Sequence, residues 1–190
     1  MPEQTSHNPQ QIRTQRLQLV AVTAELARLQ IEDRDAFFRT IDVMPEVTWP
    51  PELMDGDALH WLQETANADA AITGWMLWIF IWPGAGGQAG RLVGAGGFKG
   101  EPNTDGEVEI GYSMLISFRE QGLATEAVEG LLGWSERDPR VKRIIAKTLP
   151  HLAASRRVLE KTGFVEKGEE LDEGRTLIRY EREGRNAKAA

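Results

Sequence analysis

The chain has 190 residues, of which 41% are apolar and 27% charged, and its net charge is -7; that suffices for one core and is short for two, so a single domain is expected. An acidic surface excludes the basic face that nucleic-acid binders present and suits an amine-bearing partner. Because cysteine is absent, disulfides, thiolate metal sites and a cysteine-linked acyl intermediate are excluded, and a cytoplasmic setting is expected.

In chain order, residues 1–10 are polar and proline-bearing, without the apolar run of a signal peptide, and are expected to form a disordered tail. "RLQLVAV" (16–22) alternates as a half-buried strand does, and the following segment, with Leu26, Leu29, Phe37 and Ile41 among charges, reads as one or two short helices. The Trp49-Pro50-Pro51 loop leads into an amphipathic helix from about Ala58, with Asp55 or Asp57 as cap. "WMLWIFIW" (75–82) is continuously apolar, as in a strand covered on both faces, and the run around it is too short and interrupted to cross a bilayer, so no membrane contact is expected. A glycine-rich turn and a second strand, "RLVGAGGFKG", follow.

"EVEIGYSMLI" (107–116) is again a strand, with Val108, Ile110, Tyr112 and Met114 on one face and Glu107, Glu109, Gly111 and Ser113 on the other, so two carboxylates share a face. A helix over 122–136, a strand "VKRIIAKTL", a helix over 155–162, a strand from Phe164 and a last strand "TLIRYER" complete the pattern. An antiparallel start followed by strand-helix-strand alternation implies a mixed sheet. Residues 183–190, "EGRNAKAA", have no apolar anchor, so a single domain over 11–182 between two disordered tails is expected.

Three glycine-rich segments compete for the chemistry. Gly84, Gly86 and Ala89 match a dinucleotide fingerprint formally, but that motif must open a helix and here the chain returns into a strand. "GAGGFKG" is explained equally by crowding from Trp75 and Trp78 or by a ligand approaching closely. The third, "SFREQGLATEAVEGLLGW" (117–134), places Gly122 and Thr125 at the start of a helix whose Leu123, Ala127, Val128, Leu131 and Leu132 form an apolar stripe. Backbone amides at such a start attract an anion. The Gly-Lys-Ser/Thr ending of a nucleotide-hydrolysing loop is missing, which points to a phosphate that is bound and not cleaved.

Arg119-x-x-Gly122-x-Ala124 after a strand, with "ASRRVLEKTGF" (154–164) behind it, resembles the GNAT (GCN5-related) superfamily of N-acetyltransferases; "TQRLQL" and "EIGYSM" are similar to its branch that includes the ribosomal-protein N-terminal acetyltransferases. The resemblance covers about 12–182 and implies an α+β fold, a mixed α/β sheet of about seven strands flanked by about four helices. It implies acetyl-CoA as co-substrate, with no metal. The coenzyme A pyrophosphate is expected on the turn Arg119, Glu120, Gln121, Gly122, Leu123, Ala124 and Thr125, and the pantetheine arm along the backbone of Met114, Leu115 and Ile116.

The resemblance also implies direct acetyl transfer to a primary amine, on a protein N-terminus or a small molecule, by general-base catalysis in a ternary complex. Glu109 stands where relatives place a strand glutamate base, with Glu107 in reserve; the competing reading of both is a solvated strand face or a salt bridge. Leu159 occupies the position of a tyrosine acid in many relatives, and Leu152 that of an asparagine contacting the coenzyme arm. Ser155 replaces the tyrosine in this branch, as acid and as coenzyme contact, or else caps the helix. Trp49, Trp61 and Trp75 are the aromatic candidates for the acceptor site, and a tryptophan-rich edge suggests a homodimer. The alternative on the same scaffold is a non-catalytic acyl-CoA-binding or regulatory protein.

Overall fold

The computed structural model describes residues 9–51, 56–172 and 174–188. Most of the expected amino-terminal tail lies outside the described residues, as do Asp55 and the side chain of Asp57, the two expected caps. The elements run β1 (Gln11–Arg13), β2 (Gln18–Ala21), α1 (Ala24–Glu32), α2 (Arg34–Thr40), α3 (Gly56–Ala68), a 3-10 turn Ala70–Trp75, β3 (Leu77–Trp82), β4 (Arg91–Phe98) and β5 (Glu107–Met114). A 3-10 turn Ile116–Phe118, α4 (Leu123–Ser135), β6 (Arg143–Thr148), α5 (Ala153–Lys161), β7 (Val165–Asp172), β8 (Arg175–Glu183) and a 3-10 turn Arg185–Lys188 follow.

The strands make one mixed sheet in the order β1-β2-β3-β4-β5-β6-β8-β7. β1 to β5 are antiparallel neighbours, β5 and β6 are parallel with α4 in the crossover, and the last two strands are again antiparallel. The strand beyond the expected seven is β1, whose three residues pair with β2 and are too few to show a period.

β3 shows why its sequence is uninterrupted apolar. Trp78 and Phe80 enter the core beneath α4, and Ile79 and Ile81 the core beneath α1 and α3, so alternate residues bury on opposite faces. The strand begins two residues later than the apolar run, because Asp69 accepts from Ala71 N–H and turns 70–75 into a 3-10 helix. Caps set the starts of the short helices: Thr23 accepts from Leu26 N–H at 3.2 Å and Asp33 from Ala36 N–H at 2.9 Å. The stripe of α4 is buried as its spacing requires.

At the carboxyl end, Glu183 closes β8, Gly184 N–H donates to Lys142 C=O at 2.8 Å, and Arg185 Nε lies 3.0 Å from the buried carboxylate of Glu136. The tail expected from 183 therefore starts inside a strand, and charge supplies an anchor there that an apolar pattern cannot reveal. Among the described residues no helix is long and apolar enough to cross a membrane.

Candidate functional site

The site is organised by where β5 loses one of its neighbours. Its ladder with β6 consists of Glu107↔Arg143, Val108↔Ile144 and Glu109↔Ile145, whereas its ladder with β4 continues to Gly94↔Met114. Past Glu109 the two parallel strands diverge, and the β6-facing backbone of β5 has no ladder partner among the described residues. An extended chain can take up such N–H and C=O groups as an added strand does.

Glu109 stands at the apex of this wedge, on the face opposite Val108 and Ile110. Its carboxylate, 17% exposed, is in contact with Lys99 Nζ, and Lys147, bound to Glu170, also feels its charge. Glu107 on the same face is held by Arg179 at 2.9 Å and Arg143 at 3.4 Å. Two guanidiniums make Glu107 a structural ion-pair member, whereas among the described residues Glu109 is ion-paired with the highly exposed ammonium of Lys99.

At the other end of β5, Met114 and Leu115 are buried and Ile116 is exposed. Arg119 Nε donates to Met114 C=O at 3.1 Å, which folds the turn back on the strand end. Glu120 and Gly122 both adopt left-handed backbone, φ 62° and 76°, on either side of Gln121, and Gly122 is the residue before α4. The first amides of α4, at Leu123, Ala124 and Thr125, have no acceptor within the helix, so they and the helix dipole present positive potential at this turn. Arg119, ahead of both left-handed residues, is extended, with φ -71° and ψ 160°; the two left-handed residues lead into the open amides of α4, and the stretch 119–125 fits a pyrophosphate on the ground of that helix start.

That turn is strapped to the amino-terminal hairpin. Glu126 in the first turn of α4 accepts from Thr14 Oγ1 (2.6 Å), Arg16 N–H (2.5 Å) and Arg16 Nε (2.7 Å), and Arg16 Nη1 donates to Gln121 C=O at 3.0 Å. Burial pushes the Glu126 carboxyl up, but these hydrogen bonds outweigh it and leave it below the ordinary glutamate range.

Ser155 is the third residue of α5, whose cap position is Leu152, so it does not cap the helix as one reading expected. Its side chain lies 3.3 Å from Tyr112 Oη, and Tyr112 also donates to Ser155 C=O at 3.1 Å. The pair bridges β5 to α5 across the wedge. Burial drives the Tyr112 phenol up to about 12, so it keeps its proton throughout the neutral range. Leu159 belongs to the core, and Leu152 is exposed at the start of α5.

The tryptophans separate. Trp49 is buried, stacks on Phe37 and donates from Nε1 to Gln30 at 3.1 Å; Trp75 packs edge-on to Trp134 with centroids 4.8 Å apart. Both rings are buried, Trp75 within an aromatic cluster and Trp49 bordering a cavity beside Arg34 and His60. Trp61, 56% exposed, is the one of the three that borders the chamber beside Glu109's face, between α3 and strands β4 and β5. Sequence reasoning missed Tyr112, Thr14, Arg16 and Glu126. The parity of β5 assigned Tyr112 to the buried face without its partner, and Thr14 and Glu126 are 112 residues apart. No group of three or more His, Cys, Asp or Glu side chains suited to a metal occurs among the described residues.

Known proteins carry the same architecture. The family model described as "Acetyltransferase (GNAT) domain" matches residues 24–165. The chain is 36% identical over 75 residues to the uncharacterized N-acetyltransferase YjdG of Bacillus subtilis (strain 168), covering 40% of this chain and 45% of that protein, less than half its length. Among solved structures, the ribosomal-protein-S5-alanine acetyltransferase of Vibrio fischeri has a TM-score of 0.66 at 14% identity, covering 94% of this chain and 99% of that one. Mycobacterium smegmatis RimJ in complex with CoA-disulfide has a TM-score of 0.64 at 20% identity, covering 95% of this chain and 90% of that one. Since the family model spans well over half of its length, the chain belongs to the GNAT acetyltransferase family.

Proposed function

We propose that this chain transfers the acetyl group of acetyl-CoA directly to a primary amine, on a small molecule or a protein N-terminus, within a ternary complex. The observation that carries the reading is the wedge between β5 and β6, with an amide cradle at one end and Glu109 at its apex. The amides of 119–125 would hold the pyrophosphate, and the free edge of β5 through Met114–Ile116 the pantetheine arm. The CoA-disulfide carried by RimJ, and the S5-alanine acceptor of the Vibrio enzyme, support the reading by analogy.

In this reading the thioester supplies the acyl group. Glu109 takes one proton from the acceptor's ammonium, directly or through a water, and frees the lone pair that attacks; as the N–C bond forms and the C–S bond breaks, the second proton leaves nitrogen and passes through water to the departing thiolate. A β5 backbone amide polarises the carbonyl; such a donor lowers a barrier by about 3 kcal/mol. Ser155, held by Tyr112, hydrogen-bonds the departing sulfur. An alkyl thiol ionises near ~8.5 and Tyr112 near about 12, so the phenol holds the relay in place and water completes the reprotonation.

Coenzyme A at one hundred times its Kd should stabilise the protein by about 2.7 kcal/mol, and Glu109→Gln should keep that binding while lowering kcat by roughly 10²–10⁴-fold and flattening its rise with pH. Unchanged melting in millimolar coenzyme A would end this reading. The non-catalytic reading draws on Leu159, which leaves α5 without a tyrosine at that position. It is selected if coenzyme A binds and no amine is ever acetylated.

A further inference from the structure

The face that carries Glu109 also carries a chamber of about 340 Å³ between α3 and strands β4 and β5. Its walls are apolar, with Trp61, Leu62, Met76 and Phe98 among them, and Lys99 stands at its edge. Ligand pockets run from roughly 300 to 1,000 Å³, so this one admits a body the size of a single amino acid and not a folded segment.

The chamber floor has glycines of two kinds. A Cβ at Gly96 would lie 2.7 Å from Gly111 C=O, and at Gly97 1.8 Å from Met76 C=O, so the fold itself demands glycine there. A Cβ at Gly111 would meet nothing within 4 Å, and its φ lies outside the left-handed range. Neither backbone nor packing requires glycine at 111; what its bareness supplies is room in the chamber.

Gly111 is two residues beyond Glu109 on the same face, about 7 Å along the strand. The Lys99–Glu109 ion pair thus sits at the chamber's rim, with the Lys99 side chain 66% exposed. A pair this open contributes little and reopens readily. An ammonium arriving alone would displace Lys99 and leave two cations facing each other. A ligand with ammonium and carboxylate on one carbon keeps every charge paired.

We propose that the acceptor is a free α-amino acid with an apolar side chain, its ammonium on Glu109, its carboxylate on Lys99 and its side chain in this chamber, whose depth Gly111 sets. This rests on the acetyl-transfer reading of Glu109. The full chain with acetyl-CoA is tested by thiol release and product mass spectrometry on phenylalanine, leucine and alanine, on phenylalaninamide, on phenethylamine and on a peptide beginning with phenylalanine. Expected are a kcat/KM for phenylalanine at least tenfold above its amide, amine and peptide, a tenfold narrower acid-to-amide ratio in Lys99→Met, and a shift of the phenylalanine-to-alanine ratio by tenfold or more in Gly111→Val. Gly111→Ala, which should give a smaller shift in the same direction, covers a valine variant that fails to fold.

Preference for the amide, amine or peptide, or ratios unmoved by both substitutions, would overturn the proposal while leaving acetyl transfer intact. If no amine is acetylated although coenzyme A binds, the transfer reading fails and the acceptor assignment is overturned with it; calorimetry of phenylalanine on the coenzyme A complex, in the wild type and in Gly111→Val, then reads whether the chamber is an amino-acid binding site.

Discussion

Replacing Glu126 by glutamine keeps the shape of the side chain and removes its charge, and so isolates the strap between the amino-terminal hairpin and the turn before α4. The carboxylate accepts three hydrogen bonds, from Thr14 Oγ1, Arg16 N–H and Arg16 Nε. The Nε contact involves an Arg16 side chain that is 38% exposed, so it contributes about 0–1 kcal/mol. The other two lose charge assistance, which roughly halves a bond of about 1.5–3 kcal/mol. The sum is about 2 kcal/mol, equivalent to a melting temperature lower by roughly 4–8 °C in a domain of this size. Because Arg16 also donates to Gln121 C=O, the loss loosens the anion cradle, and the Kd for coenzyme A, read by calorimetry, should rise by about 5–30-fold. A full fall in melting temperature with an unchanged Kd would refute the reasoning, showing a staple between segments that has no part in shaping the cradle. The sign with pH is determined too. The Glu126 carboxyl is held down in the folded state, so its contribution is complete above the unfolded value, near ~4.3, and is lost as pH falls through the lower folded value. Glu126→Gln should remove that acid-side loss of stability.

Ser155→Ala should lower kcat by about 10–100-fold with the coenzyme A Kd within about twofold, while Tyr112→Phe should lower it less and cost about 1 kcal/mol of stability for the lost hydrogen bond; single-turnover rates and thermal melts check both. Gly122→Ala forces a Cβ into left-handed backbone at about 1–2 kcal/mol, so calorimetry should show coenzyme A binding weakened by roughly 5–30-fold with little change in kcat at saturation. Glu107→Gln, which removes the acceptor of Arg179 and Arg143, should lower stability by about 1 kcal/mol and retain the rise of rate with pH; a flattened profile would make Glu107 the base.

Much of the fold and part of the site are legible in the residues. The period of two in 107–114 assigns Glu109 and Tyr112 to opposite faces, and the stripe of 123–132 with Gly122 before it announces a packed helix whose first amides are open to an anion. The same reasoning went astray where a residue type has two uses. Trp49 and Trp75 are aromatic enough for an acceptor site, yet a hydrogen bond to Gln30 and the ring of Trp134 hold them in the core. Ser155 suits a helix cap by type, but α5 begins before it and its hydroxyl turns to Tyr112.

What the sequence determines by itself is local. Alternation, helical period and backbone permissiveness act over a few residues, and they suffice for the element order, the faces of β5 and the cradle at the start of α4. Tertiary structure alone decides the pairings between distant segments. Arg179 reaches Glu107 across 72 residues, Tyr112 reaches Ser155 across 43, and the wedge exists because β6 leaves β5 after Glu109 to continue with β8. Charge and hydrogen-bond partners have no period along a chain, so which carboxylate is tied up and which stands at the wedge is decided only when the strands are laid side by side.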